Sequence, residues 1–307
     1  MDEDQEDNRG KRMKLFFAGG ETQDYATILD IAGVTRRLLS YHYMPEHLKQ
    51  RKNTLLDYYG RDKELFIDSG AYSAFTQGVQ INIADYIEFL QFHQPQLYAN
   101  LDSITSWEDT LKNQKTMEAA GLKPLPAWHA KESLQVLKDY VNSYPYVGIG
   151  FGTLSGHQER KEVAKVIVSE FPDSKFHFFA ITHLDMLAEY NIYSADSTGW
   201  VLRASKFATI DTPFGYVFFS EQHGEKGMYI GNLEEKDRAL LAAYLRTFGL
   251  SIEQLSTEYK RSWIMRAYYQ ARFFHLYEEA CNTLERKGGK IQPKMLDSFF
   301  RERAVRI

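Results

Sequence analysis

The chain has 307 residues, 44% hydrophobic and 14% aromatic, with a net charge of −4. That is enough apolar material for one large domain or two small ones, and it excludes a polycation that binds nucleic acid over its whole surface. A single cysteine, Cys281, excludes a disulfide framework and a cysteine-rich zinc site, and the apolar runs are too short to span a bilayer.

The opening stretch, MDEDQEDNRGKRMK, is acidic and polar and has no signal-peptide apolar core. Residues 1–12 are expected to be disordered. The expected setting is soluble, reducing and cytoplasmic, or the host cytoplasm if the chain is phage-encoded. Strands are predicted at Lys14–Ala18, Arg36–Tyr43, Glu64–Asp68, Leu97–Asp102, Lys123–His129, Tyr146–Gly150, Phe176–Ile181 and Ile192–Asp196. Helical patterns lie between them at Tyr25–Ala32, Pro45–Tyr59, Ile83–Phe92, Trp107–Ala120, Ser133–Ser143, Arg160–Phe171 and His183–Tyr190. Eight strands alternating with helices predict parallel strands joined by crossovers, closing into a (β/α)8 barrel over residues 13–215. An open doubly wound sheet is the competitor, but no Gly-x-Gly-x-x-Gly follows the first strand.

Past Thr198 the pattern changes. Short strands are predicted at Lys206–Ile210, Tyr216–Phe219 and Gly227–Ile230, then helices at Glu234–Phe248, Ser251–Leu255 and Thr257–Leu284. Residues 216–307 therefore read as a helical extension. Its last stretch, from Arg286, holds seven Lys/Arg against two Asp/Glu.

In such a barrel the chemistry sits where strands end and βα loops begin. Three strands end on aspartate: Asp68, Asp102 and Asp196. Each alone suits a helix N-cap. Three around one mouth repel one another and raise at least one pKa, a cost more readily tolerated where a substrate uses it. Two carboxylates flanking a sugar carbon suit glycosidic chemistry, and a third can accept hydrogen bonds from a purine edge. Metal binding is the rival, since clustered aspartates with His129 and His183 suit Mg²⁺ or Zn²⁺. No HxH or HExxH spacing supports it, and neither a metal nor a cofactor is expected.

Asp68-Ser69-Gly70-Ala71-Tyr72 resembles the Asp-Ser-Gly-Gly-aromatic motif of the tRNA-guanine transglycosylases. Asp102 in Ala99-Asn100-Leu101-Asp102, the glycines of Val147–Gly152, and Asp196 in Ser194–Thr198 are similar to that family's later motifs, in the same order. The resemblance covers roughly residues 64–206. It implies base exchange: Asp196 attacks C1′ and expels guanine, and Asp68 serves as general acid and then general base. It implies that Asp102 reads the base edge, with Ser69 beside it. Tyr72 and Phe179 would sandwich the base, and backbone N–H groups around Gly148–Gly152, Gly150 among them, would meet its carbonyl. His129 stands where the family has a glutamine. The family's tRNA enzymes carry a Cys₃His zinc subdomain, which one cysteine cannot build. The resemblance is therefore nearest the phage and bacterial relatives that place 7-deazaguanines into DNA. It implies DNA, or alternatively tRNA, and a free base such as 7-cyano-7-deazaguanine as partners.

Arg203 and Lys206 follow Asp196 by seven and ten residues and are expected to hold a phosphate, although a solvated loop fits them equally. Lys260, Arg261, Arg266 and Arg272 lie among aromatics, and an amphipathic helix packed on the barrel is the simpler reading there. The basic stretch from Arg286 is the better nucleic-acid candidate, and a merely solvated face is its alternative. Three other functions stay open: the same exchange on tRNA, a nucleoside hydrolase, and a noncatalytic nucleic-acid-binding subunit.

Overall fold

A computed structural model describes residues 13–154, 156–181, 183–190, 192–222, 228–284 and 291–304. The expected disordered tail, Thr182, Gly227 and the basic residues Arg286, Lys287, Lys290 and Arg306 lie outside the described residues. The chain divides into two compact units, Met1–Ala26 with Thr35–Ser197, and Thr27–Val34 with Thr198–Ile307.

The first unit is the barrel. In order it holds β1 (Lys14–Ala18), the start of α1 (Gln23–Ile31), β2 (Arg36–Ser40), α2 (Glu46–Lys49), α3 (Leu55–Tyr59), β3 (Glu64–Asp68), α4 (Ala71–Thr76), α5 (Ile83–His93) and β4 (Leu97–Tyr98). Then come α6 (Trp107–Ala119), β5 (Ala127–His129), α7 (Leu134–Ser143), β6 (Tyr146–Gly150), α8 (His157–Glu170), β7 (Lys175–Phe179), α9 (Asp185–Glu189) and β8 (Ser194–Ser197). The eight strands are parallel and run β4-β3-β2-β1-β8-β7-β6-β5. A parallel bridge between Ala99 and Leu125 joins the two ends and closes the ring. This is the predicted (β/α)8 fold.

Parallel strands covered on both faces read as nearly continuous apolar runs, as KLFFA and ELFID do. Alternate residues serve two cores. Phe16, Ala18, Leu38, Phe66, Ala99 and Leu125 fill the barrel interior, joined by Tyr146 and Phe179. Leu39, Leu65 and Ile67 face outward and pack with Tyr86, Phe89 and Leu90 of α5. This parity decides which strand residues reach the mouth. Asp68 follows Phe66 by two and Asp196 pairs with Phe16, so both carboxylates point inward.

Several elements are shorter than their sequence pattern. The predicted helix Pro45–Tyr59 is two short helices, because Arg51 adopts φ 58° and Thr54 caps α3 by accepting from Asp57 N–H. Strand β4 stops at Tyr98 rather than Asp102, and β5 begins only at Ala127. An unpredicted helix, α4, follows the Asp-Ser-Gly motif.

The second unit holds the rest of α1, α10 (Gly199–Lys206), β9 (Thr209–Thr212), β10 (Gly215–Phe218), β11 (Met228–Tyr229), α11 (Glu235–Arg246), α12 (Ile252–Leu255), α13 (Ser262–Thr283) and α14 (Pro293–Ala304). Residues 206–210, predicted as strand, are the end of α10, a turn with Ala208 at φ 46°, and the start of β9. Helix α13 packs on α10 and β9, so residues 198–215 belong with the extension. Arg266 is buried on α13 and donates to the carbonyls of Ala204 (2.9 Å) and Leu255 (2.5 Å) and to Ser262 Oγ (2.9 Å). Arg272 is also buried, with its guanidinium over the rings of Phe248 and Tyr268. Both arginines are engaged within the second unit, as the packed-helix reading expects.

Candidate active site

The site is built from the carboxyl ends of β1, β2, β3, β5, β6, β7 and β8 and the loop after β4. Asp68 ends β3, and its Oδ2 accepts from Gly70 N–H at 2.9 Å. Gly70 turns the chain at φ 78°, and a Cβ there would stand 2.4 Å from Ser40 Oγ and 2.5 Å from the His42 Cβ. Only glycine fits both conformation and space. The turn launches α4 and sets Ser69, whose hydroxyl donates to Asp102 Oδ1 at 3.1 Å.

Asp102 lies beyond β4, and two groups grip it. Besides Ser69, His129 at the end of β5 brings Nε2 to 3.0 Å from Asp102 Oδ2, although off the line of a good hydrogen bond. Burial alone would lower the His129 pKa, but Asp102 and Glu132 outweigh it and hold the imidazole above its usual range. Asp102 keeps unused lone pairs on both oxygens, since a carboxylate can accept about four hydrogen bonds.

Asp196 is held most firmly. Ala180 N–H donates to its Oδ1 at 2.9 Å, and His177 Nε2 stands 3.2 Å from the same oxygen. Ala180 reaches this pose in the left-handed region, at φ 55°, which a residue with a Cβ adopts at some cost. His177 is fully buried in β7. Its Nδ1 lies 2.6 Å from Ser194 Oγ, which also bonds Tyr146 OH. Burial depresses the His177 pKa despite Asp196 nearby, so the ring is neutral with one N–H. Asp196 Oδ1 already accepts from Ala180 N–H and faces the ring as an acceptor, so the proton sits on Nε2. Ser194 O–H then donates to Nδ1 and Tyr146 O–H to Ser194, a one-way chain that fixes tautomer and ring orientation.

Asp68, Asp102 and Asp196 converge. Asp68 is only half-buried by surface, yet its carboxyl sits deep enough that desolvation, with Asp102 and Asp196 adding repulsion, pushes its pKa up to about 8. Glu21 also faces it. That buried side chain follows Gly19-Gly20 after β1 and accepts from Ser40 N–H at 2.7 Å, and burial raises its own pKa. Sequence reasoning missed Glu21, although its place just past a strand end is the signal that found the others. It also missed His177, whose setting in KFHFF reads as core.

The glycines of β6 act by what they lack. A Cβ on Gly150 would lie 2.7 Å from His129 Nδ1, and one on Gly148 would lie 2.4 Å from the Phe179 ring. Gly148 N–H already donates to Pro126 O at 2.8 Å, so it is not available to a base carbonyl. Tyr72 is 51% exposed and rests against Gly152. Phe179 lies lower, at 5.9 Å from Phe66 and 4.5 Å from His177 between ring centroids. Tyr72 thus sits on the rim and Phe179 on the floor.

In the second unit, Arg203 does not present a free charge. It pairs with Asp211, and its guanidinium stacks 4.7 Å over Tyr216. The expected phosphate contact is corrected accordingly: an arginine answering a buried carboxylate on β9 is structural. Lys206 is exposed at the end of α10.

Among the described residues, no helix is long and apolar enough to cross a membrane. No family model and no curated protein matches the chain. Among solved structures, it is similar to a protein of Aquifex aeolicus VF5, with 9% identity over 64% of this chain and 88% of that one, at a TM-score of 0.44. It is also similar to the tryptophan synthase alpha subunit of Campylobacter jejuni, with 10% identity over 63% of this chain and 88% of that one, at a TM-score of 0.42.

Proposed function

We propose that the protein is a base-exchange transglycosylase that replaces guanine in DNA with a 7-deazaguanine. The observation that carries this reading is the unequal pair of acids at one mouth. Asp68 holds a proton up to about pH 8, whereas Asp196 is clasped by two N–H donors. A carboxyl that keeps its proton beside one held as a hydrogen-bond acceptor suits an acid and a nucleophile.

In this reading Asp196 Oδ2 attacks C1′ as the bond to N9 breaks, and Asp68 gives its proton to the departing guanine. The glycosyl ester then meets an incoming base. Asp68, now ionised, takes that base's N9 proton as N9 attacks C1′ and Asp196 leaves. Asp102, steadied by Ser69 and His129, accepts from the N1–H and 2-amino edge. Tyr72 covers the base from the rim, and Phe179 lines the floor. A guanine in duplex DNA must first be flipped out, at a cost of a few kcal/mol.

The test is incubation with radiolabelled guanine or 7-cyano-7-deazaguanine, with DNA and tRNA in parallel. Label in DNA supports the proposal, and label in tRNA transfers the chemistry to the other polymer. Label in neither refutes exchange. Asp196→Asn abolishes incorporation while nucleic-acid binding persists; full activity in that variant would remove Asp196 from the nucleophile's role.

A further inference from the structure

Outside the acid cluster, two barrel loops bring together side chains of a different chemistry. His157 opens α8, on the connection after β6. His183 and Asp185 lie on the connection after β7, at the start of α9. His157 Nε2 is 3.0 Å from Asp185 Oδ2, and the rings of His157 and His183 stack with centroids 3.8 Å apart. One donor atom from each of the three residues falls within 4.8 Å of the other two. Ligands around a tetrahedral zinc-like ion stand about 3.3 Å apart, so modest side-chain rotation closes the set. His157 Nδ1 is buried without a partner, so the ring is not committed to a full hydrogen-bond network.

We propose that His157, His183 and Asp185 bind one divalent transition-metal ion of the zinc type. Two imidazoles and a carboxylate are too rich in nitrogen for Ca²⁺ or Mg²⁺ and suit Zn²⁺ or Co²⁺, with water completing the shell. Lys161 stands in the ion's way. Its Nζ is 3.3 Å from Asp185 Oδ2 and also pairs with Glu189. Binding therefore moves Asp185 from Lys161 to the metal, and Lys161 stays with Glu189. Bound there, the ion ties the β6 and β7 loops together. The first carries Gly152 beneath Tyr72, and the second follows Ala180, the N–H donor to Asp196. The site is independent of the base-exchange proposal, because its readout is metal binding rather than turnover.

The experiment strips the full-length protein with a chelator, then titrates it with Zn²⁺ by calorimetry and with Co²⁺ by visible absorption. The expected result is one equivalent per chain, with cobalt bands of a four-coordinate nitrogen-oxygen site. His157→Ala, His183→Ala and Asp185→Asn each weaken binding by about tenfold or more. The isosteric Asp185→Asn, on a side chain 43% exposed, keeps the test decisive if a histidine variant does not fold. Lys161→Met, which removes the competing cation, tightens binding or leaves it equal. His47→Ala, a control elsewhere on the barrel, changes nothing. The proposal is overturned by no saturable binding below ~1 mM, by affinity unchanged in Asp185→Asn, or by a loss in Lys161→Met.

Discussion

Replacing Asp68 with asparagine tests the central electrostatic claim in two directions at once. The side chain keeps its shape and loses its titration. In the native wild type the Asp68 pKa is raised from an ordinary 3.8 to about 8. Below about pH 4 folded and unfolded chains both carry the proton, and its contribution to stability is fully present. As pH climbs toward 8 the unfolded chain ionises and the folded one does not, so stability is lost through that window; above it the loss is complete. At about 1.4 kcal/mol per unit, the full difference is about 6 kcal/mol. The residue as a whole is only half-buried, so roughly half of that is expected in measurement. Urea unfolding followed by circular dichroism at pH 5 and pH 9 reads it directly. The stability gap, Asp68→Asn over wild type, should widen by about 2 kcal/mol between the two pH values, while base exchange disappears. A gap that stays constant with pH, or a variant less stable than wild type at pH 9, would refute the raised pKa.

Three further outcomes follow from particular contacts. His177→Phe fills the same space but breaks the chain from Tyr146 through Ser194 to Asp196; the turnover rate should fall about 10- to 100-fold with KM within about twofold, and an equal change in KM would show that the ring positions substrate instead. Gly70→Ala should cost about 2–3 kcal/mol in urea unfolding, since it combines a left-handed φ with contacts no real Cβ shows; a cost under about 1 kcal/mol would mean the turn relaxes freely. Asp211→Asn removes the buried carboxylate that answers Arg203, and a loss of about 3 kcal/mol is expected by thermal or urea unfolding; an unchanged protein would mean that the arginine's other contacts, Tyr216 among them, satisfy it.

The barrel was legible because its strands are covered on both sides, which leaves uninterrupted apolar segments such as ELFID between polar helices. Their ends were less legible. Ala99 and Leu101, in the loop after β4, are buried in the barrel interior and the outer core, so that loop imitates a continuing strand up to Asp102. The three aspartates were visible by position, at strand ends. Glu21 was not, because two glycines carry it past the end of β1 before it turns inward. His177 was hidden among phenylalanines: nothing in a strand sequence separates a core ring from one whose nitrogens are both engaged. Arg203 misled in the opposite way. Its nearness to Asp196 in sequence suggested a shared task, but α10 ends soon after it and β9 offers Asp211, a closer and better-desolvated charge. His157 and His183 come from separate loops, and no spacing rule joins them.

The single bridge between Ala99 and Leu125 makes β4 against β5 the weakest seam of an otherwise continuous ladder. Asp102 hangs from one lip of that seam and His129 from the other. A stave joint held at one point opens before the rest of the cask, so amide protons at Asn100 and Leu125 should exchange ahead of those in β2 and β3. Under the proposed base exchange, Asp102 and the histidine that steadies it are thereby mounted on the part of the wall that yields most easily, which would give the mouth room to take bases that differ in the bulk they carry at the seven position.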